Sequence, residues 1–407
     1  MPRSQCCDAA RSVSVSRTPA PAIVHLALAL GGFAIGTTEF ATMSLVPFFA
    51  PGLGIDEPTA GHVISAYALG VVVGAPLLAV LTARMARRTV LIALMACFGI
   101  ANAASALAPT YEAMLVARFF SGLPHGAYFG IAALVAASLV PAEKRTQAIG
   151  RVMLGLTTAT IVGVPLANAL GQAIGWRWGF GVVAVLAAAT MAMVAWVAPR
   201  DRPDRSASPL AELGVLRSGQ LWLTLGIGAI GFGGMFAVYT YLASTVIEVT
   251  GAGPAMVPVV LAVFGIGMTV GNLVVPRFAD RALMPTAGGL LLWSAATLAL
   301  YPLAAGQLWS MLAIVFLIGI GGALGTVLQT RLMDIAEHGQ SLAASLNHSA
   351  FNTANAIGPW AGGLAIAAGH GWTSTGIVGA ALALGGFAIW GLAVLTGAPV
   401  RRVVAGA

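Results

Sequence analysis

The chain reads as an all-α polytopic membrane protein, with twelve transmembrane helices in two pseudo-symmetric six-helix bundles. Three observations predict this. Hydrophobic residues make up 58% of the 407 residues and charged residues only 8%, and the mean hydropathy is +0.91. The surface of a soluble domain alone needs roughly three times that charge. Twelve apolar segments recur, each about 20 residues or longer and able to cross a hydrocarbon core of roughly 30 Å as a helix. One charged, Pro- and Ser-bearing stretch, PRDRPDRSASPLAELGVLRSG at 199–219, divides them six and six.

The segments lie near 23–49, 59–83, 89–109, 112–140, 147–174 and 177–198, then 219–247, 255–279, 286–305, 309–333, 341–368 and 372–396. Short connections favour antiparallel neighbours. Residues 1–22 carry Ser, Pro and Arg with no apolar run before Ile23, which reads as a cytoplasmic tail and not a signal peptide. The expected organisation is a tail 1–22, a first bundle 23–198, a linker 199–218, a second bundle 219–397 and a tail 398–407.

Charge placement predicts orientation. With the amino terminus inside, nearly all of the twenty Lys and Arg fall on the inner side, only Arg177 falls outside, and Arg118 lies within a span. Such a bias sets both termini in the cytoplasm of a bacterial-type inner membrane. The net charge of +7 therefore reflects orientation in the lipid bilayer; no aromatic-interleaved basic patch suggests nucleic acid. Cys6, Cys7 and Cys97 have no spacing that suggests a disulfide framework or a metal site. With no Walker-type loop, ATP is not the expected energy source, and no cofactor is expected.

The two sides of the linker echo each other. GAPLLAVLTAR (74–84) aligns with GNLVVPRFADR (271–281), matching Gly74 to Gly271 and Arg84 to Arg281, with Gly70 meeting Gly267 at the same offset. Parallel six-helix halves are a transporter architecture, with substrate bound midway between them. Many of the 51 glycines recur at i, i+4, a spacing that lets helix backbones approach closely.

Of the thirteen acidic residues only Glu39 lies deep within an apolar segment. An ionisable group there costs about 2.5–3.5 kcal/mol and marks an ion, proton or substrate path. Glu39 lies on the order of 12 Å from the outer end of span one, and Arg118 roughly 9 Å from the outer end of span four. A long guanidinium side chain bridges that difference in depth. The two are expected either to pair or to compete for a water-filled cavity, and a plain structural ion pair between spans one and four is the alternative. His125, two turns from Arg118, is a proton relay or an inert helix-to-helix hydrogen bond. His348 reads as structural or interfacial. Polar positions able to face a central cavity are Tyr239 and Tyr241 in span seven, Asn272 in span eight, Gln329 in span ten, and Asn352 and Asn355 in span eleven.

Several motifs carry a family resemblance. AVLTARMARRTVL (79–91) resembles the G-x-L-A-D-R-x-G-R-R loop of the major facilitator superfamily: Arg84, Arg87 and Arg88 match, while Ala79, Ala83 and Ala86 replace Gly, Asp and Gly. The second copy, PRFADR, keeps Asp280 and Arg281. LVARFFSGLPHGAYFG (115–130) resembles the R-x-x-x-G motif through Arg118 and Gly122, and GLTTATIVGVPLANALG (155–171) resembles the antiporter proline-glycine motif through Gly163, Pro165 and Gly171. With GTTEFATMSLVP (36–47) and NHSAFNTANAIGPWAGG (347–363), the chain is similar to twelve-span drug:proton antiporters of the arabinose-efflux and chloramphenicol-export branch.

The resemblance implies a monomeric, proton-driven exporter of a small organic molecule such as a drug or sugar, working by alternating access. It implies proton coupling at Glu39 and Arg118, and gating at Arg84, Arg87, Arg88, Gly163, Pro165, Asp280 and Arg281. Proton-linked uptake, as symporter or facilitator, is the first alternative. A polytopic membrane enzyme is the second, although no Asp-rich, His-x-x-x-x-Asp or Cys/His cluster is present.

Overall fold

Backbone amides in lipid must satisfy one another, which leaves helices as the solution for chains this apolar. The structure, a computed structural model, describes residues 21–55, 57–201, 213–336 and 339–397, and no strand occurs among them. Nine spans are single helices: one Pro21–Gly52, two Glu57–Thr82, three Arg87–Leu107, four Tyr111–Ser138, six Arg177–Val197, eight Val257–Ala279, nine Leu283–Ala304, eleven Gln340–Ala365 and twelve Ser374–Thr396. The tails expected at 1–22 and 398–407 lie outside the described residues except for Pro21 and Ala22, as does most of the linker.

Spans five, seven and ten are interrupted. Span five runs Arg145–Thr158, passes through a π turn at Ala159–Gly163 and continues as Val164–Ile174. Pro165, at the start of the second piece, has no N–H to give the preceding turn, and the Val164 N–H reaches Ala159 O instead. Span seven breaks at Phe232 between Gly219–Gly231 and Gly233–Glu248; span ten passes through a 3-10 turn at Gly321–Ala323 between Leu308–Ile320 and Leu324–Ile335.

Among the described residues, eleven helical stretches are long and apolar enough to cross a membrane. The one long helix outside that set among the described residues is span eleven, whose Asn347, His348, Asn352 and Asn355 lower its hydropathy and are all buried in the protein. Lipid is met instead by exposed apolar side chains such as Leu81, Ile100, Trp196, Leu303, Trp309 and Leu395.

The halves repeat the same contact. A methyl on Gly70 or Gly74 would collide with the Phe119 or Leu123 carbonyl of span four, and one on Gly267 or Gly271 with the Phe316 or Ile320 carbonyl of span ten. The reciprocal approaches, Gly122 to Tyr67 O and Gly319 to Phe264 O, match as well. A single spacing of 197 residues relates every member of the two sets. Between the halves, spans two and four pack on eleven and span five packs on eight, which sets a buried chamber at the centre.

Candidate central transport site

Spans one, four, five, seven, eight, ten and eleven enclose a cavity of about 50 Å³. That is room for one or two waters, far below the roughly 300 Å³ that a drug-sized ligand needs, so the chamber is contracted in this conformation. Glu39 and Phe40 line it from span one, His125 from span four, and Asn272 from span eight. Asn347, His348, Phe351 and Asn352 come from span eleven. The polar stripe that makes span eleven a poor lipid-facing helix is thus the wall of this chamber.

Arg118 is 1% exposed, yet its hydrogen bond into span one goes to Thr38 Oγ1 at 2.9 Å, beside Glu39. Thr38 in turn donates to Asn102 Oδ1 of span three at 2.7 Å, and Asn102 Nδ2 donates to Phe98 O at 2.9 Å. The guanidinium lies 4.4 Å from the Tyr67 ring centroid and 5.5 Å from that of Phe180, distances at which a buried cation is attracted to the ring face. Glu39 and Arg118 interact electrostatically across this arrangement. Of the expected pairing or competition, the geometry is of neighbours: the cation is anchored on Thr38 and aromatic faces, and the carboxylate lines the cavity.

From Tyr67 the polar chain continues to the centre. Its hydroxyl lies 2.9 Å from His125 Nδ1, and the His125 ring is 5.3 Å from that of His348, centroid to centroid. Phe129 stacks on His348 at 4.4 Å and 11°. His348, expected to be structural or interfacial, is instead on the cavity wall, because span eleven crosses the middle of the protein directly against span four.

The other expected positions divide. Asn272 and Asn352 line the cavity; Tyr239 lies behind its wall, with its ring 5.3 Å from Phe40 and 4.9 Å from Phe264. Tyr241 is not among the lining residues: its hydroxyl donates to Pro359 O at 3.0 Å and braces span seven on span eleven. Two residues apart on a helix, Tyr239 and Tyr241 point about 200° from each other, so one chamber cannot take both. Gln329 and Asn355 are buried but also off the cavity, a turn beyond Thr326 and Asn352, and Gln329 leaves both amide atoms without a partner.

The gating candidates lie away from the centre. Gly163, the last residue of the π turn and two before Pro165, packs its backbone on Thr37 and Phe33 of span one. At the face of the bundle where the linker leaves span six, Gln147 Nε2 of span five donates to Asp280 Oδ2 at 3.0 Å, joining the halves, while Arg84, Arg87 and Arg281 are exposed and Arg88 donates to Ala195 O. A carboxylate from outside the loop sits at the start of span three. Asp201 accepts the backbone N–H of Arg87 at 2.6 Å and of Arg88 at 3.3 Å, at the positive end of span three. Tyr67, His348, Thr38, Asn102 and Asp201 were not singled out from sequence as site residues.

Two packed helical halves around a central chamber have the architecture of a membrane transporter. The model of the Major Facilitator Superfamily matches residues 28–296, and the chain belongs to that superfamily. It is 40% identical to the inner membrane transport protein YdhP of Escherichia coli (strain K12) over 359 residues, 88% of this chain and 92% of that one. It is 35% identical over 388 residues to a chloramphenicol resistance protein of Streptomyces lividans, 93% of this chain and 96% of that one. The crystal structure of the human organic anion transporter MFSD10 shares the fold with a TM-score of 0.72 at 15% identity, over 91% of this chain and 98% of that one. The protein is a multi-pass membrane transporter and not an enzyme.

Proposed function

We propose that the protein exports a small organic molecule across a cytoplasmic membrane in exchange for protons, as a monomer with both termini inside. The proton gradient is its energy source and it uses no cofactor. The observation that carries this reading is the position of Glu39, whose carboxylate lines the central cavity while Arg118 stays anchored one layer away on Thr38 and Tyr67. A carboxylate in that position holds either a proton or a substrate. A proton arriving from the outside neutralises Glu39 and weakens its hold on the substrate, which then leaves outward. His125 and His348 bring the polar chain from Tyr67 to the cavity wall and offer a route for the proton inward. Rocking of the halves about spans five and eight links the two steps, with the π turn before Pro165 as a flexing point and the Gln147–Asp280 contact as an inner latch. The name of the chloramphenicol resistance relative supports export over uptake.

The test is proton movement in proteoliposomes, read with a fluorescent pH reporter under an imposed gradient of either sign, across a panel of drugs and sugars. Compound-triggered proton release that disappears in Glu39→Gln is expected. Equal release in the variant would make Glu39 structural, and proton flux in the same direction as the compound would make the protein a symporter.

A further inference from the structure

A second opening lies away from the central cavity, in a groove between spans one and five. It measures about 550 Å³ and is lined by His25, Leu26, Leu30 and Phe33 of span one and by Arg151 and Leu154 of span five. The two helices touch at its floor, where a methyl on Gly155 would strike the Ala29 carbonyl. Leu26 is 62% exposed and Ile23, one turn before it, 45%. Apolar side chains therefore rim the groove and meet lipid.

Two polar groups stand at one end of this apolar channel. His25 is four residues into span one and Arg151 six residues into span five, about 6 and 9 Å from the helix starts. Both starts lie at the same end of the bundle, because His25 Nε2 reaches Ala136 O, near the close of span four, at 3.3 Å. That depth is where headgroups meet hydrocarbon, within reach of an arginine extended along its apolar stem. Arg151 is exposed, and no carboxylate bonds to it among the described residues. Lys144 and Arg145 are exposed at the same helix start, so the groove's mouth is positive even with Glu143 beside them.

The histidine decides what else a ligand must carry. A carbonyl only accepts, so Nε2 holds the ring hydrogen and Nδ1 is an acceptor in the neutral ring. Nδ1 is buried without a partner. A phosphate diester satisfies Arg151, since a guanidinium pairs with phosphate oxygens through two parallel N–H groups, but it has no hydrogen to give His25. A headgroup ammonium has one, yet it would stand next to the guanidinium that interacts electrostatically with His25. A hydroxyl donates without that repulsion.

We infer that the groove binds an anionic phospholipid with a hydroxylated headgroup, of which phosphatidylglycerol is the simplest. Its phosphate lies on Arg151, a headgroup hydroxyl donates to His25 Nδ1, and one acyl chain runs along Leu26, Leu30, Phe33 and Leu154. The bound lipid joins the span that carries Glu39 to the span that carries the π turn. The inference depends neither on the direction of transport nor on proton coupling.

The test is native mass spectrometry of the purified full-length protein, titrated in detergent with phosphatidylglycerol, phosphatidylmethanol and phosphatidylethanolamine of matched chains. Phosphatidylmethanol carries the same charge without the hydroxyls. The first phosphatidylglycerol is expected to bind roughly tenfold tighter than phosphatidylmethanol, the value of giving a buried acceptor its partner, and tighter than phosphatidylethanolamine. Arg151→Gln should weaken phosphatidylglycerol about tenfold, the loss of one hydrogen bond to a charged group. His25→Phe should erase the lead over phosphatidylmethanol. His25→Gln, whose amide offers the same donor and acceptor, should keep that lead and guards against a folding defect in the phenylalanine variant. Phosphatidylmethanol or phosphatidylethanolamine binding as tightly as phosphatidylglycerol, or affinity unmoved in Arg151→Gln, would each overturn the inference. So would an equal loss in Arg177→Gln, at the opposite end of the bundle, because total charge alone would then explain the effect. Glycerophosphoglycerol, the headgroup without chains, is expected not to bind at concentrations that saturate the lipid; equal affinity would make the groove a site for soluble phosphodiesters and overturn the lipid assignment.

Discussion

The Tyr67 hydroxyl lies 2.9 Å from Nδ1 of His125, and the face of the same ring carries the Arg118 guanidinium 4.4 Å from its centroid. One tyrosine therefore belongs to two layers, the anchored cation and the cavity wall. Tyr67→Phe separates them, since it keeps the ring under Arg118 and removes only the hydroxyl. The cost in stability is about 1–3 kcal/mol for leaving a buried histidine nitrogen without its partner. The expected outcome is a folded protein whose compound-triggered proton release is strongly slowed, measured in proteoliposomes beside a thermal unfolding curve. Unchanged coupling would reduce Tyr67 to packing.

Arg118 gives a graded test. Its side chain is wholly enclosed and satisfies Thr38 in a bond that continues to Asn102. Arg118→Ala removes the cation that compensates a buried Glu39 and should cost about 3–5 kcal/mol. Arg118→Lys keeps the charge without the planar fork that reaches Thr38 while lying over the ring. The expected order of thermal stability and of transport is wild type, then lysine, then alanine; a lysine variant equal to wild type in both would show that only the charge matters.

The spans were legible because hydrocarbon imposes one rule on every residue, and Glu39 was legible because it breaks that rule. The wall of the site was less so. Tyr239 and Tyr241 look alike in sequence, but helix geometry sends one behind the cavity and the other to Pro359. His348 reached the centre only because span eleven packs on spans two and four, a long-range fact that no local pattern carries. Tyr67 had no mark of its own, being an ordinary aromatic in an apolar helix until Arg118 and His125 are placed around it. The direction of each asparagine amide is set by the carbonyl it meets, which depends on the fold.

Asp201 illustrates the same distance problem where the linker leaves span six. The loop motif lacks its aspartate at Ala83, and a carboxylate 114 residues away takes the Arg87 N–H. It caps a helix whose N-cap, Ala86, has no side-chain hydrogen bond to offer. Asp201→Ala should cost about 0.5–2 kcal/mol, as for other lost N-caps, and Asp201→Asn less. Thermal unfolding in detergent reads this directly, and an alanine variant as stable as wild type would show that the contact contributes nothing.

The internal repeat makes the last prediction the sharpest, because it offers a built-in control. At the spacing that relates Gly122 to Gly319, Tyr67 is replaced by Phe264 and Arg118 by Val315. The backbone contact was kept in both halves and the charge in only one. A methyl at Gly122 would strike Tyr67 O, and a methyl at Gly319 would strike Phe264 O. Gly122→Ala and Gly319→Ala should therefore lose similar stability, about 1–3 kcal/mol each, by overpacking. Their effects on coupling should differ. Pushing span two from span four moves Tyr67 relative to Arg118 and His125, whereas pushing span eight from span ten shifts the neutral Asn272–Thr326 contact and no charged or titratable counterpart of those groups. Proton release per bound compound should fall in Gly122→Ala and stay near wild type in Gly319→Ala when both are measured at temperatures equally far below their unfolding midpoints. Equal loss of coupling in the two would mean that proton transfer depends on the symmetric packing of both halves, not on the charged layer that the first half alone contains.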